Sequence, residues 1–330
     1  MARIGVLTGG GDCPGLNALI VAAVNRLEES GHRPVLLRDG FLSLLRAGEG
    51  KTVEYPVKSL DRLRIPRCGG SVIGSSRVTL KKDSLTLAGK GAERLRLDGL
   101  VAVGGDGSLK SASRLSGFLP VAAVPKTIDN DVSATEFSLG FQTAVQTATE
   151  AVERIQDTAA SHGSTFLVEV MGRRSGFLAA AAAEACSVDG VILPEQRWRV
   201  ADLVGALRPG GVILLAEGSW HDELGSPEGE GRLAGIVERT LDTLPPVADV
   251  NLRGVVLGHT LRGGPPTAAD RLLAASFARH AVDAVCEGRS VLVVQRSGTT
   301  TTVDIEEASS GRRFLSEKEL SSLNVRVLGR

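Results

Sequence analysis

The sequence predicts an α/β fold built on mainly parallel sheets. Three observations lead there. The recurring unit is a short β-branched strand, a Gly-rich turn and an amphipathic helix, an alternation that covers a parallel sheet on both faces. The 330 residues allow one large domain or two ordinary ones. Hydrophobic residues make up 42% of the chain and aromatics only 3%, so Val, Leu, Ile and Ala must build the core.

Taken in order, the apolar strand Ile4–Leu7 runs into Gly9-Gly10-Gly11-Asp12 and a helix from about Gly15 to Ser30. Leu100–Val103 runs into Gly104-Gly105-Asp106-Gly107-Ser108 and a helix to about Leu115. Val121–Val124 reads as a buried strand that Pro125 ends, because proline lacks the N–H a sheet ladder needs. Phe166–Val170 leads to Met171-Gly172-Arg173-Arg174 and an Ala-rich helix, and Val212–Leu215 leads to Glu217-Gly218. Val255–Leu257 leads to Gly258-His259 and Arg262-Gly263-Gly264, then a helix from about Thr267 to Cys286. Between these lie a loop at Asp222–Gly231, one helix near Leu233–Leu244 and a second loop at Pro245-Pro246. The tail from Ser297, with Thr299–Thr302 in a row, is polar and is expected to cross back over a domain surface.

Bulk properties narrow the function. The 38 basic and 38 acidic residues cancel, which removes the electrostatic case for nucleic acid or a membrane surface. Cys13, Cys68, Cys186 and Cys286 are far apart and form no CxxC, a usage that fits a reducing cytosol and predicts a cytoplasmic protein. Met1-Ala2-Arg3 enters the first strand at once, which leaves no room for a signal peptide. The Ala-rich run at 178–186 is too short to span a bilayer and contains Glu184.

The chemistry concentrates in Pro125-Lys126-Thr127-Ile128-Asp129-Asn130-Asp131, a polar loop at the carboxyl end of a strand, where open α/β sheets bind ligands. One of its two acids can take a proton from a hydroxyl and the other can help hold a metal, while Lys126 and Thr127 can meet phosphate. Thr8–Asn17 lets backbone N–H groups approach a phosphate at a helix start. It lacks the Gly-Lys-Ser/Thr of a Walker A loop and carries Pro14 in place of a dinucleotide fingerprint's third glycine. Alone it is equally a tight turn. Gly104–Ser108 repeats the logic and adds Asp106, a Mg²⁺ partner or a simple helix cap. Arg77, Arg173, Arg253 and Arg262 end apolar or Gly-rich segments and offer planar, permanent charge for phosphate.

Together these segments resemble the 6-phosphofructokinase family, in its ATP- and pyrophosphate-using branches. The matching pieces are TGGGDCPGLN (8–17), GGSVIGSSR (69–77), GGDGS (104–108), PKTIDND (125–131), SHG with VEVMGR (161–163 and 168–173), AEG (216–218) and LGHTLRGG (257–264), in the family's order. The resemblance implies two doubly wound α/β domains with the active site in the interdomain cleft. Residues 1–140 and 261–297 would form the donor domain, and residues 141–260 and 298–330 the sugar-phosphate domain. It also implies that Asp129 is the general base for the sugar 1-hydroxyl, with Thr127 and Arg173 as its catalytic companions. Gly10, Gly11, Arg77, Gly105, Asp106, Gly107, Ser108 and Lys126 would hold the donor. Asp131, Met171, Gly172, Arg173, Glu217, His259 and Arg262 would hold the sugar phosphate, joined by Arg253 from a neighbouring subunit. Asp106 and Asp131 would lie near Mg²⁺. The resemblance further implies a homotetramer, or a dimer.

Gly107 leaves room for the ATP α-phosphate, whereas Lys126 matches the pyrophosphate users; the steric argument puts ATP first. Where the family typically carries an Arg against the sugar 6-phosphate, this chain has Ser164. Such a loss costs about 1.5–3 kcal/mol, so the acceptor is fructose 6-phosphate or another sugar phosphate. A catalytically silent regulatory subunit is a third alternative, opposed by the retained Asp106, Asp129 and Asp131.

Overall fold

The computed structural model describes residues 1–219, 236–247 and 250–329. In chain order the strands are β1 (Arg3–Thr8), β2 (Arg33–Leu37), β3 (Glu54–Tyr55), β4 (Gly99–Gly104), β5 (Val121–Pro125), β6 (Ser164–Val170), β7 (Gly190–Ile192), β8 (Val212–Ala216), β9 (Asn251–Val256), β10 (Val291–Arg296) and β11 (Thr299–Asp304). The α-helices are α1 (Leu16–Glu29), α2 (Leu42–Gly48), α3 (Lys82–Arg94), α4 (Asp106–Leu115), α5 (Phe141–His162), α6 (Phe177–Cys186), α7 (Val200–Val204), α8 (Ile236–Thr243), α9 (Ala268–Cys286) and α10 (Glu317–Ser322). The fold is α/β with mainly parallel sheets, as the alternation predicts. The loop expected at Asp222–Gly231 lies outside the described residues, as do the first positions of the helix expected near Leu233.

The chain divides into two compact units. The first comprises Met1–Thr127, Val132–Thr143 and Arg262–Arg312. Its sheet has the order β11-β10-β5-β4-β1-β2-β3, parallel except for the edge strands β3 and β11. Side chains alternate along each strand. One face puts Leu7, Val35, Leu37, Leu100, Ala102 and Ala123 into a core with Leu44 of α2, Ala88 of α3 and Leu109 of α4. The other buries Ile4, Val6, Val101 and Val103, with α9 packed along β4, β5 and β10 and against α1. Strand order reverses between β1 and β4: from β1 the sheet continues through β2 to β3 on one side, and from β4 through β5 to β10 on the other. Ligands of doubly wound sheets bind beyond the carboxyl ends of strands at such a reversal. Both glycine loops, 9–12 and 104–108, follow these two strands.

The second unit comprises Ile128–Asp131, Ala144–Leu261 and Arg313–Arg330. Its parallel sheet has the order β7-β8-β6-β9. Leu167, Ile192, Ile213 and Leu215 pack on one face against Leu203 of α7 and Ile236 and Val237 of α8. Val168, Val170 and Leu214 are buried on the other, where α6 covers β7 and β8.

The tail departs from its expected path. Instead of crossing a surface, Thr299–Asp304 pairs antiparallel with β10 at the edge of the first sheet. Ser297 and Gly298 both take left-handed φ values, 50° and 73°, as a two-residue hairpin turn requires. The β-branched threonines suit a half-exposed edge strand despite their polarity. Residues from Arg313 on fall in the second unit.

All four cysteines are free thiols. Burial pushes the Cys13 thiol up to about 12 and raises those of Cys186 and Cys286 as well. Cys68 is exposed. Because the thiolate is the reactive form, iodoacetamide at mild alkaline pH is expected to label Cys68 first. Peptide mapping of the singly labelled protein checks this; early label on Cys13 in folded protein would contradict the burial. Among the described residues no helix is long and apolar enough to cross a membrane.

Candidate active site

In the first unit the glycine turn after β1 is tied to its neighbours through the backbone. Gly9 N donates to Val103 O and Gly10 N to Ser76 O, each at 2.8 Å, which brings exposed Arg77 next in chain to the loop. Two cations reach the same turn. Buried Lys126, 3% exposed, donates from Nζ to Gly11 O, and Arg262 Nη1 donates to Asp12 O at 3.3 Å. A Cβ on Gly11 would lie against the Arg262 guanidinium, which would have to swing aside. Arg262 Nε is buried without a hydrogen-bond partner.

Gly105 caps α4 and Asp106 is its first residue. The first N–H groups of a helix lack intrahelical partners and its dipole favours anions there. Ser108 N bonds back to Gly105 O at 2.8 Å. The Asp106 carboxylate, 22% exposed, pairs with Lys110 at 2.9 Å, a one-turn helix pair of small energetic weight. Thr127 closes this group, its N–H donating to Leu139 O at 3.2 Å.

In the second unit the residues gather beyond the carboxyl ends of β6 and β8. Asp129 is 4% exposed, and its Oδ2 lies 3.5 Å from Arg173 Nε. Arg173 itself has a left-handed φ of 55°, a conformation that bulky residues keep only when held there. Glu217 supplies the hold: its Oε1 accepts from Arg173 N at 2.6 Å and Gly172 N at 3.3 Å. Burial raises the Glu217 pKa, and the nearby Asp129 charge adds to the rise. Met171 is buried beside this turn. Trp198, 4% exposed, donates from Nε1 to Ser219 O at 2.8 Å and so pins the segment just past Glu217. Asp131 is 6% exposed, and its carbonyl accepts from Arg313 N at 2.9 Å.

The structure thus joins Asp129, Gly172, Arg173 and Glu217 in one cluster, and Gly10, Gly11 and Lys126 in another. Within the first unit Arg262 reaches the loop after β1 through its bond to Asp12 O. His259 is exposed just beyond β9, while exposed Arg253 is opposite Phe166 within that strand. From Arg253 the strand runs about 3.3 Å per residue toward its carboxyl end, so this chain's Arg253 is set back from the Asp129 cluster. Ser164 opens β6, buried, its Oγ accepting from Asn251 Nδ2 at 3.3 Å. Sequence reasoning missed Ser175, whose Oγ is 3.0 Å from Asp129 O, and Arg313. Neither stands in a motif or at a spacing that signals such contacts.

A family model described as Phosphofructokinase matches residues 3–285. The chain is 40% identical over 327 residues to the ATP-dependent 6-phosphofructokinase 3 of Streptomyces coelicolor, covering 93% of each. It is 38% identical over 330 residues to the pyrophosphate–fructose 6-phosphate 1-phosphotransferase of the same organism, covering 93% of this chain and 94% of the relative. The solved structure of phosphofructokinase from Saccharomyces cerevisiae matches with a TM-score of 0.79 at 26% identity, over 94% of this chain and 45% of the yeast chain. This chain therefore spans less than half the length of that one.

Proposed function

The chain belongs to the phosphofructokinase family, and from that premise we propose an ATP-dependent 6-phosphofructokinase that transfers the γ-phosphoryl group to the 1-hydroxyl of fructose 6-phosphate. The reaction class, phosphoryl transfer to a sugar hydroxyl, is that of the family. Asp129 carries the residue assignment. It is a buried carboxylate on a loop at a strand end, paired with Arg173, and suited to take the proton of the attacking hydroxyl. Thr127 precedes it in the same loop.

Phosphoryl transfer depends on positioning and charge neutralisation more than on covalent help. On the donor side, the backbone of Gly10, Gly11 and residues 105–108, with Ser108, Arg77 and Lys126, meets the phosphates. On the acceptor side, Met171, Gly172, Arg173, Glu217, His259 and Arg262 meet the sugar phosphate. Arg253, exposed on an edge strand, serves a neighbouring copy in a homo-oligomer, a tetramer ahead of a dimer. The setting is cytoplasmic.

Mg²⁺ fits Asp106. No three His, Cys, Asp or Glu side chains form a ready-made metal cage among the described residues, and Mg²⁺ commonly takes one or two carboxylates and completes its shell with water and phosphate oxygens. Asp106, part-exposed at a helix start, suits that role, with Asp131 as the second acid. Bound there, Mg²⁺ would neutralise charge developing on the phosphates.

Two observations bear on the donor. A Cβ on Gly107 would meet within 4 Å only Thr79 Cγ2, at 3.0 Å, so the chain itself leaves that space for an α-phosphate. Lys126 favours the second reading, a pyrophosphate donor. A matrix crossing ATP and pyrophosphate with fructose 6-phosphate, sedoheptulose 7-phosphate and tagatose 6-phosphate, in Mg²⁺, tests both. The expected winner is ATP with fructose 6-phosphate. Faster turnover with pyrophosphate would overturn the donor; a different sugar phosphate winning would overturn the acceptor and mark Ser164 as the cause.

A further inference from the structure

We propose that Arg313 is a positioning residue that fixes the Asp129 loop through the C-terminal tail; this rests on Asp129 being the base. Three successive carbonyls of that loop each have a donor beside them. Ser175 Oγ lies 3.0 Å from Asp129 O, Arg313 Nε donates to Asn130 O at 3.1 Å, and Arg313 N donates to Asp131 O at 2.9 Å. The middle residue, Asn130, has a left-handed φ of 51°. Asn visits that region more readily than most residues, but a single residue there needs neighbours to keep it.

Arg313 is itself held on two sides. Its guanidinium lies over the Phe177 ring, 4.3 Å from the centroid, an arrangement in which charge and ring face attract and the fork is oriented. Two residues on, Leu315 N donates to Glu195 Oε1 at 3.2 Å. The same oxygen accepts from Gly176 N at 2.8 Å. Ser175, Gly176 and Phe177 are consecutive at the start of α6, so one helix terminus grips the loop, the tail and Arg313 together. All these residues belong to the second unit. The reaction needs the Asp129 carboxylate within a fraction of an ångström of the hydroxyl, and the loop backbone sets where it points. Freeing one of three carbonyls and losing the ring contact loosens that aim without touching a substrate.

The test measures kcat and both KM values of full-length Arg313→Ala, Ser175→Ala and Asp129→Asn, with circular dichroism and thermal melting. Arg313→Ala is expected to lose about 10- to 100-fold in kcat, with both KM values little changed, and to regain part of it with added ethylguanidinium. Simple tail anchoring would lower the melting temperature but give no such rescue. A kcat within twofold of the unsubstituted enzyme, or a loss that only tracks unfolding, would overturn the inference. If Arg313→Ala does not fold, Ser175→Ala decides: a fall in kcat at steady KM supports the grip, and an unchanged kcat overturns it. An active Asp129→Asn protein overturns the base and this inference with it. An inactive one beside a normal Arg313→Ala overturns this inference alone.

Discussion

Replacing Asp129 by Asn is expected to lower kcat by about 10²- to 10⁴-fold, the usual contribution of a positioned general base, with the fold retained. Asn keeps the shape of the side chain and can still face Arg173, but it cannot accept the proton. The stability signature is specific. Glu217 has a pKa raised first by burial and further by the Asp129 charge. A carboxyl with a raised folded-state pKa contributes its stability below the unfolded value and loses it as pH climbs through the folded value. Removing the Asp129 charge lessens the rise and therefore the loss. At neutral pH the variant should melt no lower than the parent, and the gap between them should close as pH falls into the ordinary carboxylate range. Full activity, or marked destabilisation at neutral pH, would reject the assignment.

The second large effect is expected from Gly218→Ala. A Cβ at this position would lie 1.9 Å from Arg173 O and 2.9 Å from its carbonyl carbon, backbone atoms that cannot swing away. The Met171–Arg173 turn must shift, and Arg173 N and Gly172 N must leave Glu217. Displacement of about 1 Å at a reacting centre costs roughly 10²-fold in rate, so kcat/KM for the sugar phosphate should fall by about that factor. Donor KM should move little, because Gly218, Arg173 and Glu217 belong to the second unit whereas the loops after β1 and β4 belong to the first. A steady-state comparison varying each substrate in turn separates the two; an unchanged sugar kcat/KM would show that the turn tolerates the shift.

Much of this was legible in the sequence because the informative features are local. Strand, glycine turn and helix follow one another within about 20 residues, and apolar runs such as Val121–Val124 admit one placement, inside a sheet. The residues after β1, β4, β5, β6 and β8 could be singled out for the same reason. Contacts made by backbone carbonyls across the chain leave no such mark. Arg313 meets Asn130 from 183 positions away, and nothing in the spacing of either residue announces it. The edge hairpin was legible in principle, since Ser297-Gly298 is a two-residue turn between strand formers. Its polarity drew attention away. Arg262 illustrates a third limit: its bond back to Asp12 O depends on how the 3₁₀ turn Gly258–Arg262 leads into α9, which the spacing of neither residue announces.

The pin that Trp198 places on Ser219 has an optical consequence. The chain has two tryptophans, Trp198 and Trp220, and Trp198 lies in the second unit. Light absorbed near 295 nm by Trp198 is therefore emitted from that unit, while the chain's single tyrosine, Tyr55 of the first unit, is dark at this wavelength. In a Trp220→Phe protein, a denaturation curve followed by Trp198 emission would track the second unit, while circular dichroism would track both. Any mismatch between the two curves would measure how independently the halves come apart. Because the Trp198 indole hydrogen-bonds two residues past Glu217, its emission also offers a dye-free signal for events at the Arg173–Glu217 turn.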